Sequence, residues 1–193
     1  MGKPCVILGR FQPPHVGHFE MIKQLVERHG EVYIVITNLS RVSAVNPLKS
    51  TESKALLLKG IKEMGLGSQQ VHLVRMRRPK KVVRMDPNLW IYNEMVRRLK
   101  KPFVFYTGNK GVMDALRGKP DIRPVRVLSP QEIQSVKIKN KKLSATEVRR
   151  LIRARLRWEH LLPRQVAQLL KKKGLVDRIV DTMGIKKVHR HQK

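Results

Sequence analysis

Short runs of β-branched and apolar residues alternate with longer amphipathic stretches through most of the chain, and this rhythm restricts the fold more than any other feature. Pro4 to Leu8 reads PCVIL, Glu31 to Thr37 reads EVYIVIT, and further runs follow at Gln70 to Val74 and at Pro102 to Thr107 (PFVFYT). VRVL, Val125 to Leu128, is expected to be the last strand. Runs without polar alternation suit strands buried on both faces. Between them, His18 to Arg28 sets Phe19, Ile22, Leu25 and Val26 at helical spacing. A second helix over about Thr51 to Met64, capped by Ser50 or Thr51, would carry Ala55, Leu58 and Ile61 on one face, and a third covers Trp90 to Leu99. Strands separated by helices call for a parallel sheet with right-handed crossovers, so the expected class is α/β, doubly wound and Rossmann-like.

After Ser144 the pattern turns purely helical, with helices expected over Ala145 to Arg157, Pro163 to Lys172 and Leu175 to Met183. The expected division is an α/β domain over residues 1–143, a small helical extension over 144–184 and a basic tail over 185–193. A length of 193 residues with 41% apolar content supports one compact core. No window approaches the roughly 18 apolar residues of a membrane span. The first apolar run is too short for a secretory signal, so the protein is expected in the cytoplasm. The single cysteine, Cys5, falls in the first strand and reads as a small buried apolar residue.

The first strand runs into GRFQPPHVGH, Gly9 to His18. Ligands of open parallel sheets bind beyond the carboxyl ends of the strands, where strand hands over to helix, and this segment occupies such a turn. Gly9 eases the turn and Pro13-Pro14 stiffen it. His15 and His18, three residues apart, would share one face of the first helical turn, with Gly17 clearing the space between them. The free N–H groups and positive dipole end of that turn favour an anion, notably a phosphate, and disfavour imidazolium. The two histidines are therefore expected as neutral hydrogen-bond donors. Capping or surface histidines and a zinc pair are the alternatives, but no third zinc ligand lies nearby in sequence.

These residues resemble a known family. GRFQPPHVGH, with its HVGH, resembles the HxGH motif of the nucleotidylyltransferase superfamily, and most of all the archaeal-type nicotinamide mononucleotide adenylyltransferases. LSATEVRRLI, Leu143 to Ile152, resembles the family's ISSTxxR motif, with Ser144, Thr146 and Arg149 at matching places. YTGN (Tyr106 to Asn109), NLW (Asn88 to Trp90) and WEHLLPRQV, from Trp158, also resemble family segments.

The resemblance implies transfer of AMP from ATP to nicotinamide mononucleotide, giving NAD and pyrophosphate, with Mg²⁺ accompanying ATP. It implies catalytic roles for His15, His18 and Arg149, and ATP contacts from Gly9, Arg10, Phe11, Gly17, Ser144 and Thr146. Trp90 would stack on the nicotinamide and Asn109 would bind the mononucleotide; read alone, Trp90 equally suits a core position and Asn109 a turn. A homo-oligomer is implied as well. Ser53 stands in NPLKSTESK where the family pattern leads one to expect an arginine.

Lys and Arg number 42 against 14 Asp and Glu, a net charge of +28. RRPKKVVR (Arg77 to Arg84), KIKNKK (Lys137 to Lys142) and KKK (Lys171 to Lys173) exceed what the resemblance requires. They suit either a solvated basic surface or contact with nucleic acid.

Overall fold

A computed structural model of the chain describes residues 2–37, 42–76, 86–107, 110–124 and 143–182. Five parallel strands form one sheet: β1 (Cys5–Gly9), β2 (Val32–Ile36), β3 (Val71–Arg75), β4 (Val104–Thr107) and β5 (Ile122–Pro124). Their order is β3-β2-β1-β4-β5, so the chain winds one way from β1 to β3 and then crosses back to β4. That reversal beside β1 is the kind of switch point at whose carboxyl edge open parallel sheets bind ligands, and the turn carrying the two histidines lies there. The doubly wound α/β class expected from the sequence is the one observed.

Strand residues alternate between two apolar clusters. Ile7, Ile34, Ile36 and Tyr106 face a layer built from α1 (Val16–His29), α2 (Ser50–Glu63) and the C-terminal helices. Val6, Val35 and Phe105 face α3 (Pro87–Leu99) and the short α4 (Lys110–Ala115). Both sheet faces are thus covered, which is why the strands lack polar alternation. Cys5 is fully buried in the first cluster, and desolvation pushes its thiol up to about 12, so it behaves as a small apolar residue.

Several local expectations shift. Helix α2 is capped by Lys49 rather than Ser50 or Thr51: Glu52 reaches back to accept from the Lys49 N–H at 2.7 Å. Its buried stripe is Ser53, Leu56, Leu57, Gly60 and Ile61, whereas Leu58 is 50% exposed. The stripe turns this way because Phe19 of α1 lies across Gly60, where any side chain would collide with the ring. Helix α4 is not among the helices expected from the sequence, and β5 lies at residues 122–124. The strand expected over Val125 to Leu128 lies outside the described residues, as do Asn109, the runs Arg77 to Arg84 and Lys137 to Lys142, and residues 185–193.

The C-terminal helices are α5 (Ala145–Arg153), α6 (Arg164–Lys172) and α7 (Leu175–Asp181), with a 3-10 turn at Glu159–Leu161. Their apolar faces enter the same cluster as α1 and α2 through Val148, Ile152, Val166, Leu170 and Ile179. Polar ties reinforce the seam. Glu63 at the end of α2 accepts from the first free amides of α6, Arg164 N at 3.0 Å and Gln165 N at 2.9 Å. Arg178 of α7 donates to Glu52 at 2.6 Å. Among the described residues no helix is long and apolar enough to cross a membrane.

Candidate active site

The loop after β1 is buried although it is a loop: Phe11 is 2% exposed, Gln12 2% and His15 7%. Gln12–Pro13 is a cis peptide bond and Phe11 takes a left-handed φ of 52°. The Phe11 ring meets the His18 ring edge-on, centroids 5.0 Å apart. His15 is the N-cap of α1 and His18 its third residue, and their rings lie 3.8 Å apart, tilted by 32°.

The His15 N–H donates to Nδ1 of His18 at 3.1 Å. A ring nitrogen that accepts carries no proton, so the neutral His18 has its proton on Nε2 and presents that N–H as a donor. Burial holds the His18 imidazole down to about 4, and burial followed by the neighbouring His18 holds His15 well below its ordinary value. Both rings are therefore uncharged at neutral pH, as the helix N-terminus led one to expect. Nδ1 of His15 is buried with no hydrogen-bond partner. A Cβ on Gly17 would come within 3.3 Å of that atom, so glycine leaves it room.

The second half of the site arrives from α5. Ser144 is its N-cap and accepts from Glu147 N at 3.2 Å, which leaves the hydroxyl proton free to donate outward. Arg149 is only 6% exposed. Its Nη1 donates to the Gln12 carbonyl at 2.8 Å and its Nη2 to Thr146 Oγ1 at 3.1 Å. These partners are uncharged, and burial, then the like charges of Arg153 and Arg10, lower the guanidinium to about 10. Arg149 thus stays a cation at neutral pH and gains from an anion brought beside it.

Arg10 is exposed and donates to Asn46 Oδ1 at 3.3 Å. Arg153 secures the same 42–48 segment, donating to Ala44 O at 2.6 Å and to Ile179 O of α7 at 3.1 Å. Ser53, at the expected arginine position, is fully buried and donates to Phe11 O at 3.1 Å. It supports the loop from behind and supplies no charge.

The structure therefore gathers Gly9, Phe11, His15, Gly17, His18, Thr146 and Arg149 around one loop, with Arg10 and Ser144 at its edges. Trp90 stands apart, half-buried against the cluster on the opposite sheet face. Gln12 and Arg153 were not singled out by the sequence. Only their contacts across 36 to 137 residues reveal them.

Residues 6–151 match the cytidylyltransferase-like family. The chain belongs to that family. This cytidylyltransferase-like protein is 30% identical over 181 residues to a nicotinamide-nucleotide adenylyltransferase of Pyrobaculum aerophilum, covering 92% of each chain. It is 28% identical over 180 residues to one of Thermococcus kodakarensis, covering 93% of this chain and 88% of the relative.

Among solved structures, the cytidylyltransferase-like protein shares its fold with a bifunctional NMN adenylyltransferase/ADP ribose pyrophosphatase from Francisella tularensis, complexed with AMP and a Mn ion. The TM-score is 0.72 at 16% identity, over 94% of this chain. The chain spans about half that protein's length, 52%. A putative nicotinate-nucleotide adenylyltransferase from Vibrio parahaemolyticus superposes with a TM-score of 0.60 at 15% identity, covering 91% of this chain and 96% of that one.

Proposed function

We propose that this chain is a nicotinamide-nucleotide adenylyltransferase, joining the phosphate of nicotinamide mononucleotide to the α-phosphorus of ATP to form NAD and pyrophosphate. One observation carries the reading: the loop that leads into the paired His15 and His18 rings is bonded through its Gln12 carbonyl to the buried cation Arg149, 137 residues further along the chain. The archaeal relatives bear the corresponding name.

An oxygen of the mononucleotide phosphate attacks the α-phosphorus while the bond to the bridging oxygen of pyrophosphate breaks. The attacking phosphate is already largely dianionic above its second pKa of about 6, so no strong base is needed. What the site supplies is alignment and stabilisation of spreading charge. The His18 Nε2–H, with His15, is aimed at the α-phosphate. Arg149, the Ser144 and Thr146 hydroxyls and the free N–H groups of α5 receive the β- and γ-phosphates. Gly9, Arg10, Phe11 and Gly17 complete the ATP side. By the family resemblance alone the acceptor side is assigned to Trp90, for the pyridinium ring, and Asn109, for the mononucleotide; Trp90 lies on the α3 side of the sheet, apart from the histidine loop.

In this scheme residues 1–143 supply the histidines and the acceptor side, and residues 144–184 supply the polyphosphate side. Mg²⁺ enters with ATP. The ion is held mainly through the nucleotide's own phosphate oxygens. Following the family resemblance, the protein works in the cytoplasm as a homo-oligomer. A second reading, favoured by the net charge of +28, adds nucleic acid as a partner of the basic surface.

Incubation with ATP, Mg²⁺ and nicotinamide mononucleotide should yield NAD and pyrophosphate. Turnover with another phosphorylated acceptor only would remove the substrate assignment and keep the chemistry.

A further inference from the structure

Gln12 joins the three segments that make the site while touching none of the reacting groups through its side chain. Its carboxamide serves Leu48 as a neighbouring strand would: Oε1 accepts from Leu48 N at 2.8 Å and Nε2 donates to Leu48 O at 3.0 Å. Nε2 also donates to Ser53 Oγ at 3.3 Å, and that hydroxyl turns back to Phe11 O at 3.1 Å. Gln12 is 2% exposed, Leu48 and Ser53 0%, so water cannot take over these bonds.

Three groups of the site lean on the unit this network holds. Arg149 donates to the Gln12 carbonyl at 2.8 Å, and the ring of the adjoining Phe11 packs on His18. Arg10 reaches Asn46, two residues before Leu48. The 42–48 segment and the start of α2 are thereby locked to the histidine loop, and the loop to α5.

We propose that Gln12 is a positioning residue of the transfer reaction, its carboxamide fixing the loop that binds Arg149 through the Gln12 carbonyl and runs on into the two histidines. The proposal rests on the site being the adenylyl-transfer centre argued above. Removing the carboxamide would take away no phosphate-binding group yet let Arg149, His18 and Arg10 drift relative to one another. Misplacement of that kind costs on the order of tenfold to a hundredfold in rate.

The test uses Gln12→Ala, Gln12→Glu and the milder Ser53→Ala. Leu116→Ala, a fully buried change in the cluster on the other sheet face, serves as a destabilised control away from the site. Turnover and ATP affinity are read at a temperature where circular dichroism shows each variant folded. Gln12→Ala should lower kcat by about tenfold or more and weaken ATP binding, and Ser53→Ala should do so less. Combined with Arg149→Ala, the loss of ATP affinity should fall short of the product of the single losses, because the second change removes the group the first has already displaced.

Gln12→Glu supplies a signature that a merely structural role would not give. Its carboxylate would repel the Leu48 carbonyl, whereas the protonated acid reproduces the amide's donor and acceptor. Its activity relative to wild type should therefore recover as pH falls, while that of Gln12→Ala stays flat. Wild-type rate and ATP affinity in Gln12→Ala, or an equal loss in Leu116→Ala, would overturn the proposal. ATP affinity reads the seating of Arg149 whatever the acceptor, so absence of NAD formation by the wild type would count against the substrate assignment alone. Failure of the wild type to bind ATP would overturn both.

Discussion

The ring of Phe11 covers the face of Gly9 so closely that a Cβ there would sit 2.5 Å from Cζ. The same ring packs against His18, so the first glycine of the loop sets the position of a histidine nine residues away. Gly9→Ala must displace a ring that is 2% exposed, at a cost of about 1–3 kcal/mol. Turnover should fall further than the loss of folded protein explains. Gly60→Ala displaces Phe19 instead, whose ring packs on α2 and, among the described residues, makes no ring contact with Phe11. It should lower the melting temperature comparably and leave kcat of the folded fraction unchanged; thermal melts paired with initial rates separate the two.

His18→Ala removes a donor that the His15 amide has fixed in one tautomer. The ring is small and half-buried beside the loop, so the fold should persist while kcat drops about a hundredfold, the usual scale for a positioned donor at a developing charge. Circular dichroism and NAD formation check the two halves; an unchanged rate would place the chemistry elsewhere.

Arg149→Lys keeps the charge but not the fork that spans Gln12 O and Thr146 Oγ1. Turnover should fall about tenfold or more. Burial and the charges of Arg153 and Arg10 act on any cation placed there. They would lower the lysine from its ordinary value of about 10.4, so the variant's rate relative to wild type should decline as pH rises from 7 to 9. A pH-rate profile showing a constant ratio would mean that the position is less desolvated than the 6% exposure of Arg149 implies.

Acid should weaken the fold through the same histidine pair. Their folded-state values lie below the ordinary 6.5, at about 4 for His18, so the unfolded chain binds protons first as pH falls. Stability contributed by the neutral rings is present above about 6.5 and is lost as pH falls toward 4, by up to a few kcal/mol for the pair. Urea denaturation between pH 7 and 4 measures it, and His15→Ala together with His18→Ala should flatten the slope.

If the basic surface contacts nucleic acid, binding should be detectable at low salt and its affinity should decline linearly with salt on logarithmic axes. Filter binding of duplex and single strands across a salt series decides this. No retention at low salt leaves the charge as a solvated surface.

The alternation of apolar runs and amphipathic segments was enough to read β1 to β4, because a strand buried on both faces writes its burial directly into residue type; the short β5 at Ile122–Pro124 carries no such run. Phe19, Ile22, Leu25 and Val26 were legible in the same way on α1. The two halves of the site were legible as motifs, His15 with His18 and Ser144 with Thr146 and Arg149. Gln12 was not. Its importance lies in Leu48, Ser53 and Arg149, and no local pattern announces a partner 36, 41 or 137 residues away. The stripe of α2 was misread for a related reason: which side of Gly60 is inward depends on Phe19 of another helix. Lys49 escaped notice because the cap of α2 is made by Glu52 reaching backward, not by a hydroxyl at the first position.

The seam formed by α5, α6 and α7 gives chain completion a chemical meaning. Arg149 leaves α5 for the loop, while Arg153, one turn on, is tied to Ile179 O at the far end of α7. A chain still lacking α6 and α7 would possess both histidines and all five described strands, yet α5 would have lost the Ile179 tie and the apolar faces of those helices that share its cluster. Competence for catalysis would therefore arrive late and all at once during synthesis, and a protease that nicked α7 would silence the site from a distance while leaving every residue that meets the nucleotide intact.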